Sequence, residues 1–325
     1  MTPILTGWNP DPRGTEAWLN DPANVHPVFG LAAAPLIAAD ESTDTVILMD
    51  YVLKVFPGWR RINQGIGDCV SHGFELGATI LMAIQSVKRR NKWLGVAASE
   101  PIYGGSRVEA RGVKAGGWSD GSYGAAAAKW LQQWGVLVRS DYSGETGNGA
   151  HNLTAYDARK AKQWGNYGCG GRDDKDSLDT VARMHPVQTT SLVTTFEEAG
   201  AAIRNGYPVP VCSNVGFAAK QNNKGQYLRD DEGFIRPRGS WSHCMCFAGV
   251  RHGNRPGLLC VNSWGARNAG PRYPAMLHET IAECSFWVDA DVCNQMLGRW
   301  KDSFALSQFV GFKKQTLPDL GFSFG

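Results

Sequence analysis

The chain has 325 residues, with 33 Lys and Arg against 30 Asp and Glu and 43% apolar residues, enough to bury the core of one large domain or two. A net charge of +3, carried by scattered cations, excludes the dense basic footprint of a dedicated nucleic-acid binder. The longest apolar run, Val28 to Ala39, is interrupted by Gly30 and Pro35 and falls short of the roughly 18 to 20 residues that cross a bilayer, so no membrane partner is expected.

Residues 1 to about 45 carry Pro3, Pro10, Pro12, Pro22, Pro27 and Pro35, a spacing that prevents any long helix and predicts an extended arm laid on a body. The first cation is Arg13, so the basic start of a secretory signal is absent; with eight irregularly spaced cysteines, this predicts free thiols in a reducing, cytoplasmic setting. Val70, Phe74, Ala78, Leu81, Ile84 and Val87 recur at helical spacing, and Asp68 stands where an N-cap would, so a helix begins at or beside Cys69. Further helices are predicted over Tyr123–Trp134, closed by Gly135, and over Phe196–Arg204, closed by Asn205 and Gly206. From Pro208 onward, short apolar runs between turn residues predict strands, among them Met245–Val250 and Leu258–Val261. The tail from Trp300 to Gly325 interleaves Phe304, Phe309, Phe312, Phe322 and Phe324 with polar residues at no clean period, and like the N-terminal arm it reads as a docking segment.

The segment Gln64-Gly65-Ile66-Gly67-Asp68-Cys69 delivers a cysteine to the first turn of a helix, where unpaired amides and the helix dipole favour a thiolate. A thiolate nucleophile needs an imidazole to exchange its proton and a third group to orient that ring. His243 opens the strand-like run Ser242–Val250, and Asn262 closes the next, ahead of Ser263-Trp264-Gly265; if the two runs pair as a hairpin, His243 and Asn262 come side by side.

Those residues, with Gly249 six positions after His243, resemble the papain-like cysteine peptidases. Tyr103 to Arg111, Asp120-Gly121-Ser122 through Trp134-Gly135-Val136, and Ile203 to Val211 with Gly206-Tyr207-Pro208-Val209 are similar to bacterial members, so the likeness covers roughly residues 55 to 290. It implies an α+β fold of two lobes, helical over about 60–165 and built on antiparallel sheet over about 185–295, within a domain spanning 46–298 between an N-terminal arm (1–45) and a C-terminal tail (299–325). It implies Cys69 as nucleophile, His243 as general acid and base, Asn262 as the orienting amide, Gln64 and the Cys69 N–H as oxyanion donors, and Trp264 as the cover over His243 and Asn262. The reaction implied is cleavage of peptide bonds through a thioester, with a peptide or protein substrate and no cofactor or metal. The chain also departs from the family. Four residues rather than five separate Gln64 from Cys69, a carboxylate at Asp68 adjoins the thiol, Val70 replaces an aromatic, and the second Trp-Gly after Gly265 is missing.

Other readings accompany these. The arm and tail, together with the shortened loop, suit a non-catalytic papain-fold assembly protein that contacts protein partners through those segments, with a phage virion as its home; cleavage of peptidoglycan amides is a third reading. His72 reads as a helix histidine in part exposed to solvent, Gln64 on its own as a surface amide, and Gly104-Gly105 and Gly116-Gly117 as turns. His243, Cys244 and Cys246 invite zinc, but alternation along a strand splits them between two faces and no further cysteine pair completes a set. The 12 tryptophans read as packing.

Overall fold

The computed structural model describes residues 5–40, 44–90, 92–112, 119–172, 178–182, 187–218, 220–273 and 277–320. At its centre is the helix Cys69–Arg89, 21 residues long. Val70, Phe74, Leu76, Ile80 and Ile84 are all buried, and so are the residues between them except the partly buried Met82, as expected of a helix enclosed on nearly every side rather than one showing a single apolar stripe. Lys88 and Arg89 lie in its last turn, where cations oppose the negative end of the dipole, and Arg90 leaves it in the left-handed region at φ 52.

One face of this helix packs on the strand Ser240–Arg251. Gly73 allows the approach: a methyl group there would stand 2.8 Å from both the Cys244 sulfur and the Met245 carbonyl oxygen. The other faces meet the helices Ser99–Arg107 and Gly124–Gln133, and Ser99–Arg107 in turn packs on Ala158–Tyr167. Gly104 and Gly105, expected as turns, lie inside the helix Ser99–Arg107. A side chain on Gly105 would strike the Trp130 indole at 1.8 Å, so tight helix packing explains that glycine. Gly116-Gly117 lie outside the described residues.

The strand Ser240–Arg251 organises the other lobe. Val209–Val215 pairs antiparallel with its first half, Val46–Ile47 with its second half, and Gly257–Val261 along the other edge; Ser285–Asp289 extends the sheet beyond. The predicted hairpin between the runs ending at Val250 and Val261 is therefore present, with a bulge between Phe247 and Gly249. The helix Ala290–Trp300 follows this sheet directly and buries Val292, Met296 and Leu297. A separate ribbon joins Thr189–Leu192 to Phe304–Ser307.

Short helices, Pro12–Leu19, Phe29–Ala32 and Ala34–Ala38, break up the proline-rich N-terminal region; the Asp11 carboxylate caps the first by accepting from Gly14 N at 2.9 Å. The C-terminal residues close over the same body. Phe312 packs edge-on against Phe29 and Tyr207, Tyr207 donates to the Lys313 carbonyl at 2.7 Å, and Tyr51 donates to that of Pro318 at 2.7 Å. Phe322 and Phe324 lie outside the described residues. No described helix is long and apolar enough to cross a membrane.

Candidate active site

The loop 64–68 ends where the central helix begins, so Cys69 is the first helical residue. Its Sγ accepts a hydrogen bond from Cys244 N at 3.4 Å, which sets the sulfur against the residue that follows His243 in the adjoining strand. The helix–strand packing that buries the core thus also brings the two lobes' candidate residues to one place.

His243 Nε2 and Asn262 Oδ1 are 2.8 Å apart. The same Oδ1 accepts from the Ser263 backbone N–H at 2.6 Å, which identifies it as the oxygen of the amide. Since that oxygen can only accept, the neutral imidazole carries its proton on Nε2. His243 Nδ1 is left as the proton acceptor, buried and with no hydrogen-bond partner among the described residues. Trp264 stacks on this ring at 4.4 Å between centroids and 23° between planes, and Trp241 and Tyr227 continue the aromatic cover. Excluding water in this way strengthens the His243–Asn262 bond.

Gln64 is buried. Its backbone N–H donates to the Ser263 carbonyl, its Oε1 accepts from Ser263 Oγ at 2.6 Å, and its Nε2 donates to the Ile66 carbonyl at 3.0 Å. One amide hydrogen is thus engaged within the loop itself. Arg61 ties the lobes together from behind: Nε donates to the Asn262 carbonyl at 2.8 Å, Nη2 to the His72 carbonyl at 3.0 Å, and Nη1 pairs with the Glu75 carboxylate at 2.8 Å. Every hydrogen bond in this set is charge-assisted, and the Arg61 and Glu75 side chains are almost wholly buried.

Two expectations change here. Asp68 occupies the N-cap position of the central helix but makes no capping hydrogen bond; its Oδ2 instead accepts from the Tyr156 hydroxyl at 2.8 Å. His72 is fully buried rather than exposed to solvent, with Nε2 3.4 Å from Asp68 Oδ2 and its ring edge-on to Tyr156. Helical spacing placed His72 on the face near Asp68, but nothing local marked that face as covered. Among the described residues no group of three or more His, Cys, Asp or Glu side chains is arranged to hold a metal ion.

The N-terminal segment runs across this site. The Leu5 carbonyl accepts from Trp264 Nε1 at 2.9 Å, Gly7 N and Trp8 N donate to the Ser242 carbonyl at 3.2 and 3.1 Å, and Ser122 exchanges bonds with Gly7 O and Asn9 N at 2.9 and 2.8 Å. A methyl on Gly7 would fall 1.9 Å from the Gly67 carbonyl oxygen, so the segment lies directly on the loop before Cys69. Trp8 is buried and donates its indole N–H to Asp302 Oδ2 at 2.8 Å; that carboxylate also accepts from Thr15 Oγ1 and from the amides of Gly124 and Ala125. With this segment in place, Cys69, His243, Asn262 and Gln64 are each at most 2% exposed.

Electrostatics follow from this closure. Burial pushes the Cys69 thiol well up; the neighbouring Cys244 and Asp68 add to the effect and the Cys244 amide opposes it. Burial also pushes His243 down to about 4, against the Asn262 hydrogen bond, which favours the charged ring. With the thiol raised and the imidazole lowered, both are uncharged near neutral pH. The closed site holds a neutral pair, and separating charge there requires water or a substrate dipole to reach it.

Neither a family model nor a curated protein sequence matches the chain. Solved structures do. Xylellain, a cysteine protease from Xylella fastidiosa, aligns over 94% of this chain and 96% of its own at 16% identity, with a TM-score of 0.57. Procathepsin B S9 from Trypanosoma congolense aligns over 95% of this chain and 86% of its own at 13% identity and TM-score 0.49, and bromelain from Ananas comosus over 81% and 98% at 15% and 0.45. With its helical lobe, its antiparallel sheet lobe and its near-complete alignment to xylellain, this chain has the fold of the papain-like cysteine proteases.

Proposed function

We propose that this chain is a cysteine peptidase that cleaves peptide bonds by acyl transfer through Cys69. One observation carries the reading: the Cys69 sulfur lies against the residue adjoining His243, whose ring is fixed by Asn262 with the buried Nδ1 left unprotonated and without a hydrogen-bond partner among the described residues. In the reaction His243 Nδ1 takes the thiol proton as the sulfur attacks the peptide carbonyl carbon. The carbonyl oxygen becomes an oxyanion, for which the Cys69 N–H and the Gln64 side-chain amide are the donors. The imidazolium then protonates the departing amine, leaving a thioester. Water, deprotonated by the same ring, releases the acid and restores the thiol. Asn262 keeps the ring in the required tautomer throughout, and Trp264 keeps bulk water from competing for that bond.

In the closed form the segment 5–9 has to move before a peptide can enter. Labelling of the full-length chain with iodoacetamide at neutral pH, read by mass spectrometry, tests both statements. Trp8→Ala removes the indole bond to Asp302 and is expected to raise the Cys69 labelling rate about tenfold over the wild type, and with it the cleavage of a peptide mixture. Cys69→Ser should abolish cleavage. If the Trp8→Ala protein labels Cys69 no faster than the other seven cysteines and cleaves nothing, the peptidase reading falls and the non-catalytic assembly reading takes its place.

A further inference from the structure

The loop before Cys69 is one residue shorter than in the resembling family and sets a buried carboxylate, Asp68, beside the sulfur. Both features work against a reactive thiol, and the same side chain answers both. The Tyr156 hydroxyl accepts from Gly65 N at 3.0 Å and donates to Asp68 Oδ2 at 2.8 Å, so it bridges the two ends of the loop. A hydroxyl has one proton to give, and here it is spent on the carboxylate.

Tyr156 is itself held firmly. The next residue, Asp157, donates its N–H to Glu100 Oε1 at 3.0 Å, and the fully buried Glu100 pairs with Arg139 at 2.7 Å. Asp157 also caps the helix Ala158–Tyr167 through Arg159 N and Lys160 N. The loop rests on this helix start: a methyl on Gly65 would lie 2.7 Å from Ala158 Cβ. The hydroxyl is therefore a fixed point on the helical lobe against which the loop is measured.

We propose that Tyr156 is a positioning residue for the candidate nucleophile: its hydroxyl fixes the span between Gln64 and Cys69 and engages the Asp68 carboxylate that adjoins the sulfur. The inference rests on Cys69 being the reactive thiol. It explains how a loop shortened by one residue keeps a defined geometry, and what occupies Asp68 in place of a cap. The titratable groups that act on Asp68 and Cys69 are His72 on the central helix, Tyr156 and Tyr103 on the helical lobe, and Cys244 and Cys212 on the sheet lobe, with His243 adjoining Cys244. Asp120 faces the same loop from the helical lobe, accepting from Gly67 N at 3.4 Å, and pairs with Lys162.

The test uses the full-length Trp8→Ala protein as background, so that Cys69 is accessible, and reads the pH profile of Cys69 alkylation beside kcat and KM on a peptide. Tyr156→Phe keeps the ring and removes both hydrogen bonds. The alkylation midpoint is expected to rise by about one pH unit, because the carboxylate loses its proton donor and acts more fully on the sulfur. The expected fall in kcat is roughly tenfold with KM within about twofold, since the loop rather than the groove is disturbed. Asp68→Asn added to Tyr156→Phe should bring the midpoint back down, because the charge is gone. A merely structural tyrosine would lower the melting temperature and leave the alkylation profile in place, and that result overturns the proposal. A midpoint that moves as expected in a protein that cleaves no peptide would sustain the role of Tyr156 and reject the peptidase reading. Absence of any Cys69 alkylation rejects both.

Discussion

His243 is an imidazole whose ordinary value lies near neutrality, yet burial sets it at about 4 in the closed molecule. A base whose folded value is depressed contributes stability that is complete above its unfolded value, about 6.5, and is lost as pH falls toward its folded value. Asp302 and Asp50, raised by burial to about 6 and about 7, run the other way: their contribution is complete below about 3.8 and is lost as pH rises through those values. The two trends overlap, so the histidine is isolated by difference. Between pH 7 and pH 4.5 the wild type should lose on the order of 2 kcal/mol relative to His243→Gln, measured by urea denaturation at each pH. An equal loss in both proteins would show that the ring is not buried neutral. The pairing of His243 with Asn262 was legible from the sequence, because a hairpin with a short connection brings the ends of neighbouring strands together. That Nε2 carries the proton was not legible, since the Ser263 amide that identifies the Asn262 oxygen is a matter of local backbone geometry.

The central helix announced itself by its period and by where that period began. Its first residue is the one read from the sequence, and Phe196–Arg204 has the predicted bounds with Thr195 capping it through Glu198 N. Periodicity says which residues are apolar, however, and on a helix buried all round it cannot say which face meets which neighbour. Gly73 shows the consequence. In an exposed helix, alanine in place of glycine adds about 1 kcal/mol of stability. Here the new methyl group meets the Cys244 sulfur and the Met245 carbonyl oxygen, and a backbone atom cannot step aside cheaply. Gly73→Ala is therefore expected to destabilise the protein by about 1 to 3 kcal/mol in urea denaturation and to push the helix bearing Cys69 off the strand bearing His243. A gain in stability would show that the two elements are not in tight contact. The partly exposed reading of His72 fails, and Arg61 and Tyr156 go unread, for the same reason: each acts across elements, and the spacing of residues along one element carries no record of what covers it.

Across the whole molecule the decisive contact is between the two ends of the chain. Asp302, near the C-terminal ribbon, accepts hydrogen bonds from Trp8 and Thr15 of the N-terminal region and from the first amides of the helix Gly124–Gln133. Four donors converge on one buried carboxylate; one of them, Trp8, belongs to the segment that lies over the candidate site, and Thr15 belongs to the helix that follows it. Asp302→Ala leaves those donors unpaired and should release the N-terminal segment. Trypsin cleavage after the exposed Arg13 is expected to quicken by about tenfold, ahead of global unfolding. Cleavage at the wild-type rate would mean that the segment is held by its backbone bonds alone.

Local pattern alone specified where the helix bearing Cys69 begins and which strands pair beside it, because helix period, turn residues and strand alternation depend on near neighbours in the chain; the α+β class came with the resemblance those residues carry. Only tertiary packing decided that residues 5–9 lie across Cys69 and His243, that both are uncharged there, and that Tyr156 spans the loop between Gln64 and Cys69. Burial and long-range hydrogen bonds depend on which distant surfaces meet, and a proline-rich arm can be recognised in a sequence without any sign of where it comes to rest.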